Sequence, residues 1–275
     1  MPVVLALVSS LLWGTSDFLG GTAARRLSST VVVGVSQAVA LLLLVVPVLL
    51  AGDRPEHLWA APAAGLVGLV GLAAFYAALA DGTMGVIAPI AASGAVVPVV
   101  VGLARGDHPS ALQLIGIVVA LVGVILASGP ELSGGASARP LSLALLSAGC
   151  FGTVAVLVAQ ASKGPSGAVL DALLLMRVTS VGVLALIWAV TSRRLAVARA
   201  DLPLLAAIGI GDVAANAAFA VASRGGLLSV VSVLASLYPV VTVLLARQLH
   251  QERLVPVQAV GVVATLGGVV LLAAG

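Results

Sequence analysis

Gly129-Pro-Glu-Leu-Ser-Gly-Gly-Ala-Ser-Ala-Arg-Pro140 lies at the middle of a 275-residue chain and is its longest polar, Gly/Pro/Ser-rich interval. Almost continuous hydrocarbon lies on either side. The same plan runs twice: Leu12-Trp13-Gly14-Thr15 sits in the first apolar segment, and Cys150-Phe151-Gly152-Thr153 sits in the first apolar segment after the interval. Residues 129–140 therefore read as a linker between two related halves, 1–128 and 141–275.

Hydrophobic residues make up 61% of the chain and charged residues 8%, against about 25% charged in a soluble domain. A surface so poor in charge needs lipid as its solvent, so the ruler is the bilayer, at about 20 apolar residues per spanning helix. Ten apolar segments fit that ruler: 2–21, 30–51, 58–80, 83–104 and 111–128, then 141–161, 166–190, 201–222, 226–247 and 254–273. The expected fold is all-α, an integral membrane protein of ten transmembrane helices. The first segment has no basic stretch before it and nine more follow, so it reads as a retained helix rather than a signal peptide. The connections are short and none holds a soluble domain; function is expected inside a multi-pass protein of the cell membrane.

The net charge is +3, but the basic residues stand singly or in pairs between apolar runs. That pattern sets topology and does not form a nucleic-acid surface. Cys150 is the single cysteine, which excludes an intrachain disulfide.

The repeat extends beyond the Trp-Gly/Phe-Gly pair. Ala74–Gly82, with Tyr76, matches Ala217–Gly225, with Phe219. Pro98 matches Pro239, and Gln113, Gly116 and Gly123 match Gln258, Gly261 and Gly268. Five helices per half is an odd number, so the halves enter the membrane in opposite senses. Inverted repeats of this kind are common in secondary transporters, with the substrate site at the repeat interface near midplane.

Taken in order, the ten segments in two halves, the Leu12-Trp13-Gly14-Thr15 motif, and the Pro-bearing fourth and ninth segments with their following loop and Gly-punctuated helix (His108–Gly129 and Gln251–Gly275) resemble the EamA-like family of the drug/metabolite transporter superfamily. The resemblance covers the whole chain. It implies a secondary carrier of small metabolites, such as an exporter of amino acids or drug-like compounds. It also implies a central cavity lined by segments one to four and six to nine, with five and ten at the periphery. Many members carry Gly-Glu after the fourth helix, where this chain reads Arg105-Gly106-Asp107-His108.

A charge at the centre of a membrane helix costs about 2.5–3.5 kcal/mol on insertion scales, so each polar residue inside a segment needs a reason. Arg177 lies midway along the seventh segment, where it either binds an anionic group or pairs with a buried Asp. Gln37 holds roughly the corresponding place in the first half. Asp212 and Asn216 are four apart on the eighth segment and share a face; they are expected to face the cavity and supply hydrogen bonds or a proton site. Trp13, Tyr76 and Tyr238 are candidates for stacking on a substrate, and Ser93 for contacting it. Pro89, Pro98 and Pro239 loosen the fourth and ninth segments, which are expected to move. Asp17 shares a face with Trp13 but lies near the end of its segment, where a solvated carboxylate or one paired with Arg25 or Arg26 is the expectation, ahead of a proton site.

The three histidines fall in loops, and no zincin, P-loop or nucleophile-elbow pattern occurs. No enzyme, cofactor or ATP site is expected; the partners are a small-molecule substrate, lipid and protons as a coupling ion, with oligomeric state open. The rival readings are a non-transporting membrane subunit or sensor and an intramembrane enzyme. Orientation divides the arguments. With cytoplasmic termini, as the resemblance implies, the inner loops hold Arg54, Arg105, Lys163 and Arg224. The outer loops then hold Arg25, Arg26, Arg139, Arg193, Arg194, Arg199, Arg247 and Arg253, the reverse of the positive-inside rule.

Overall fold

The computed structural model describes residues 1–51, 53, 56–82, 84–128, 138–165, 168–191, 197–249 and 256–274. Among them the regular structure is helical throughout. The helices are α1 (Pro2–Ala24), α2 (Ser29–Ala51), α3 (Ala60–Asp81), α4 (Met84–Ala92), α5 (Val96–Ala104), α6 (Ala111–Ser128), α7 (Ala138–Ala161), α8 (Ala168–Thr191), α9 (Leu202–Gly225), α10 (Leu228–Ala235), α11 (Tyr238–Leu249) and α12 (Pro256–Ala274). The linker residues 129–137, and the loop residues 192–196 and 250–255, lie outside the described residues.

The last three residues read as linker, Ala138-Arg139-Pro140, are the first turn of α7. Backbone N–H groups in a first turn have no intrahelical acceptor, so proline is tolerated there. Arg139 Nη1 also donates to Asp81 Oδ2 at 2.9 Å and ties the start of α7 to the end of α3.

The fourth and ninth segments are each broken in two. A 3₁₀ turn, Ser93–Ala95, separates α4 from α5, and Ser236-Leu237 separates α10 from α11. Proline lacks an N–H and its ring clashes with the carbonyl four residues earlier. For Pro98 that carbonyl belongs to Gly94 and for Pro239 to Ala235, so each break falls where its proline requires it. Pro89 interrupts nothing: α4 continues through it.

Eight spans among the described residues are long and apolar enough to cross a membrane, counting Met84–Ala104 and Leu228–Leu249 as one each. Ten were expected. The remaining two segments, α6 and α12, have 18 and 19 residues and pack chiefly on one another. Leu42, Leu49, Leu50, Leu186 and Val190 are largely exposed, as side chains facing lipid should be.

The packing has approximate twofold symmetry. α1 lies along α9 as α3 lies along α7; α2 touches α9 as α3 touches α8; α2–α8, α4–α11 and α6–α12 pair across the axis. Glycine makes the close approaches possible, since small residues let membrane helices meet backbone to backbone. The space of a Gly14 side chain is taken by the Tyr238 carbonyl and Val241, and that of Gly152 by the Gly94 carbonyl and Val97. Gly65 faces the Met176 carbonyl, and Gly209 the Ser36 carbonyl.

Aromatic rings repeat the symmetry. Trp13 and Phe219 lie 5.8 Å apart, and Phe151 and Phe75 5.4 Å apart. The counterpart of Phe219 is thus Phe75 and not Tyr76, with the same spacing as Gly65 and Gly209. In Ala-rich sequence a one-residue slip barely changes the similarity, yet it turns a helical side chain by about 100°.

Candidate functional site

Arg177 is the largest fully buried side chain, 2% exposed on α8. Its guanidinium reaches two other helices. Nη1 donates to Gln37 Oε1 on α2 at 2.5 Å, and Nη2 lies 2.7 Å from Asp212 Oδ2 on α9. The second contact is an ion pair rather than an aligned hydrogen bond, and Nε has no hydrogen-bond partner among the described residues. Gln37 Nε2 donates to Asp212 Oδ2 at 3.3 Å. Asp212 Oδ1 accepts from Trp13 Nε1 at 3.3 Å and from Asn216 Nδ2 at 3.0 Å. Ser180, one turn beyond Arg177, donates to Gln37 Oε1 at 3.3 Å and to the Met176 carbonyl at 2.8 Å.

Local sequence explains the convergence. Gly209 lets α9 rest against the Ser36 carbonyl, one residue before Gln37. Gly65 lets α3 rest against the Met176 carbonyl, one residue before Arg177. The two glycines bring the backbones close where the polar side chains must meet. Asp212 and Asn216, one turn apart, then form a single unit, because Asn216 Nδ2 also donates to the Asp212 carbonyl at 2.8 Å. A buried carboxylate with one cation and three neutral donors is compensated; removing the cation alone would leave a bare buried charge.

This cluster forms one wall of a central cavity with about 900 Å³ of empty space, part of it in an open mouth. Trp13, Gln37, Arg177, Asp212, Asn216 and Tyr238 line it, as does Pro98. Tyr76, Ser93, Pro89 and Pro239 lie outside the lining. Tyr76 is buried over Gly20 and tilts against Phe75. Ser93 turns back to donate to the Ile90 carbonyl at 2.6 Å. Pro239 is buried at the break between α10 and α11. The rest of the cavity is mostly apolar, including Leu69, Leu72, Ala91, Phe151 and Met176.

Asp17 departs from its expectation. α1 runs on to Ala24, so Asp17 lies about two turns inside the helix. It is 7% exposed and lines the cavity, while Arg26 pairs with Asp201 at 3.1 Å. The available signal was its spacing of four from Trp13, which fixes one face; what misled was the helix end.

The cavity is placed unevenly along the membrane normal. It reaches Val158, within a turn of the end of α7, and Ser232, just past the first turn of α10. Those ends lie at the face that holds the N-terminus, where Pro2 packs on Gly226. At that face Arg224 donates to the carbonyls of Ser162, Gly164 and Pro165 at 2.8–2.9 Å. Asp107 accepts from the Ser229 N–H and hydroxyl at 2.9 and 2.8 Å. Towards the opposite face Phe18, Tyr76, Leu79, Met84, Leu205 and Ile208 are packed in one apolar cluster.

The sequence profile of the EamA-like transporter family matches the chain twice, at residues 1–129 and 138–274. Comparison with curated proteins finds no match. Among solved structures, one crystal structure of a protein superposes with a TM-score of 0.74 over 98% of this chain and 95% of the other, at 16% identity. A likeness at that identity shows a shared fold.

Proposed function

The chain belongs to the EamA-like transporter family, and from that premise we infer that it is a secondary carrier that exports a small metabolite by alternating access. In this reading ten helices cross the cell membrane as two inverted halves, 1–128 and 141–275, and the cavity between them holds the substrate. Trp13, Gln37, Arg177, Asp212, Asn216 and Tyr238 contact or orient it. The broken α4–α5 and α10–α11 pairs, set by Pro98 and Pro239, move to exchange access between the two faces, with an ion or substrate gradient as the drive.

The observation that carries this reading is the buried Arg177–Asp212 pair, held by Gln37 and Trp13 of the first half in the wall of a central cavity. Intramembrane charges facing a bundle interior mark substrate or ion pathways. The test is counterflow in proteoliposomes preloaded with a panel of amino acids, amines and drug-like compounds. Saturable, trans-stimulated uptake that is lost in Asp212→Asn is the expected result. Flux without counterflow would identify a channel. The absence of any exchange from protein shown to be folded would overturn the carrier reading for that panel.

A further inference from the structure

The cavity holds a second buried carboxylate, and its surroundings differ from those of Asp212. Asp212 has three hydrogen-bond donors and the Arg177 cation. Asp17 is buried where Asp212 is only partly so, yet among the described residues no hydrogen bond reaches its carboxylate and no cation lies within ion-pair distance. The titratable groups close enough to act on it are Asp212 from α9, Tyr76 from α3 and Tyr238 from α11, and none of them is a cation. Besides Arg177 Nε, two hydroxyls in the same cavity lack hydrogen-bond partners among the described residues. The Tyr238 hydroxyl and the Ser232 hydroxyl are both buried without a hydrogen bond. Buried polar groups are normally paired, so unpaired ones call for an explanation such as a ligand.

The charges sum in one direction. Arg177 is matched by Asp212, which leaves Asp17 as the acidic group of the cavity without a cationic partner among the described residues. An isolated carboxylate in a low-dielectric site costs several kcal/mol, and an arriving N–H cation removes that cost. The carboxylate accepts, and each hydroxyl oxygen can accept while its own hydrogen turns elsewhere, which suits an ammonium group with several N–H donors. One turn away on the same face of α1, Trp13 offers an aromatic surface that also favours a cation. Leu69, Leu72 and Ala91 offer an apolar wall for the rest of the molecule.

We propose that Asp17 is the cation-binding carboxylate of the cavity, and that the substrate class is small molecules carrying a protonated primary or secondary amine on an apolar body. The Tyr238 hydroxyl accepts a second N–H, and the Arg177–Asp212 pair acts as a neutral wall rather than as an anion receptor. This rests on the reading of the cavity as the carrier's substrate site.

The test uses the full-length protein in detergent. Thermal stabilisation is measured with hexylamine and 2-phenylethylamine, and with the alcohols and carboxylic acids of the same skeletons, at pH 7, where the amines are cationic. The expected result is saturable stabilisation by the amines, at least tenfold weaker binding of the alcohols and acids, and loss of amine binding by tenfold or more in Asp17→Asn with retention in Asp17→Glu. Equal binding of amine and alcohol, preferential binding of the acids, unchanged amine affinity in a folded Asp17→Asn, or no stabilisation by either amine would each overturn the proposal. If Asp17→Asn fails to fold, the comparison of amine, alcohol and acid on the unmodified protein decides. Amine binding with no counterflow of any solute in the panel would overturn the carrier reading and leave Asp17 as a cation site. Counterflow of an acid without amine binding would overturn this proposal alone.

Discussion

Gln37 and Arg177 hold equivalent positions in the two halves and hydrogen-bond to one another at 2.5 Å. The equivalence follows from the glycine contacts: Gly209 rests on the residue before Gln37, and Gly65 on the residue before Arg177. The pseudo-twofold axis therefore passes close to this bond. The chemistry on its two sides differs. By the same spacing the counterpart of Asp212 is Gly68, so the Arg177–Asp212 pair belongs wholly to the second half, and the first half contributes neutral donors and space.

Arg177→Ala should destabilise the folded protein by about 3–5 kcal/mol, since it strands Asp212 in a buried site. The double substitution Arg177→Met with Asp212→Leu should recover most of that loss while abolishing transport. Thermal unfolding of the purified variants beside a counterflow assay checks both. A double variant as unstable as Arg177→Ala would mean that the pair is not the main cost of the single change.

The glycines should separate into two kinds. Adding a Cβ at Gly65 or Gly209 drives it into a backbone carbonyl, whereas at Gly68 it meets only the Met176 and Val154 side chains at 3.4 and 3.5 Å. Gly65→Ala and Gly209→Ala should therefore cost about 1–3 kcal/mol through overpacking, and Gly68→Ala should be close to neutral. Gly68→Leu should fold and lose ligand binding, because its side chain would enter the cavity. Unfolding temperatures and ligand stabilisation measured across the four variants distinguish the two kinds.

Pro98→Ala and Pro239→Ala should each restore a helical hydrogen bond at a break and stiffen the broken segment. If those breaks serve as hinges, the maximal transport rate should fall several-fold while ligand affinity stays within about twofold, a split expected when a conformational step limits turnover. A change in affinity with unchanged rate would mean that Pro98 acts through the cavity wall it lines and that neither break is a hinge.

Asp107→Ala should loosen the face that holds the N-terminus. Asp107 accepts from both the N–H and the hydroxyl of Ser229 at the start of α10, and losing such a cap costs about 0.5–2 kcal/mol. A cysteine introduced at Val158, deep in the cavity on that side, should then react faster with a membrane-impermeant thiol reagent than in the parent background, with Cys150 first replaced by Ala. No change in its reactivity would mean that Asp107 does not hold that face closed.

Much of this arrangement was legible in the sequence. The cost of burying charge marked Arg177, and the one-turn spacing on α9 put Asp212 and Asn216 on one face. Whether Arg177 pairs with Asp212 or waits for an anion is not legible there, because spacing within a helix does not say which helix that face meets. The breaks followed from Pro98 and Pro239. Tyr76 and Ser93 were harder to place, because helical spacing gives a face but not which of two neighbouring helices that face meets. Ser93 turned to its own backbone, a partner available to serine in any helix. Asp17 was misplaced because an apolar run does not mark where a helix ends: α1 continues through Gly20, Gly21 and Thr22, residues that read as a stop.

The bond between Gln37 and Arg177 also limits how such a molecule can be assembled. If the second half were to pair with a copy of itself about the same axis, two guanidinium groups would stand in contact, each beside its own aspartate. Such a homodimer would carry two positive groups at the one place where the fused chain carries one. Joining two unlike halves in a single polypeptide lets the centre hold a single guanidinium, which no arrangement of identical subunits about that axis can do.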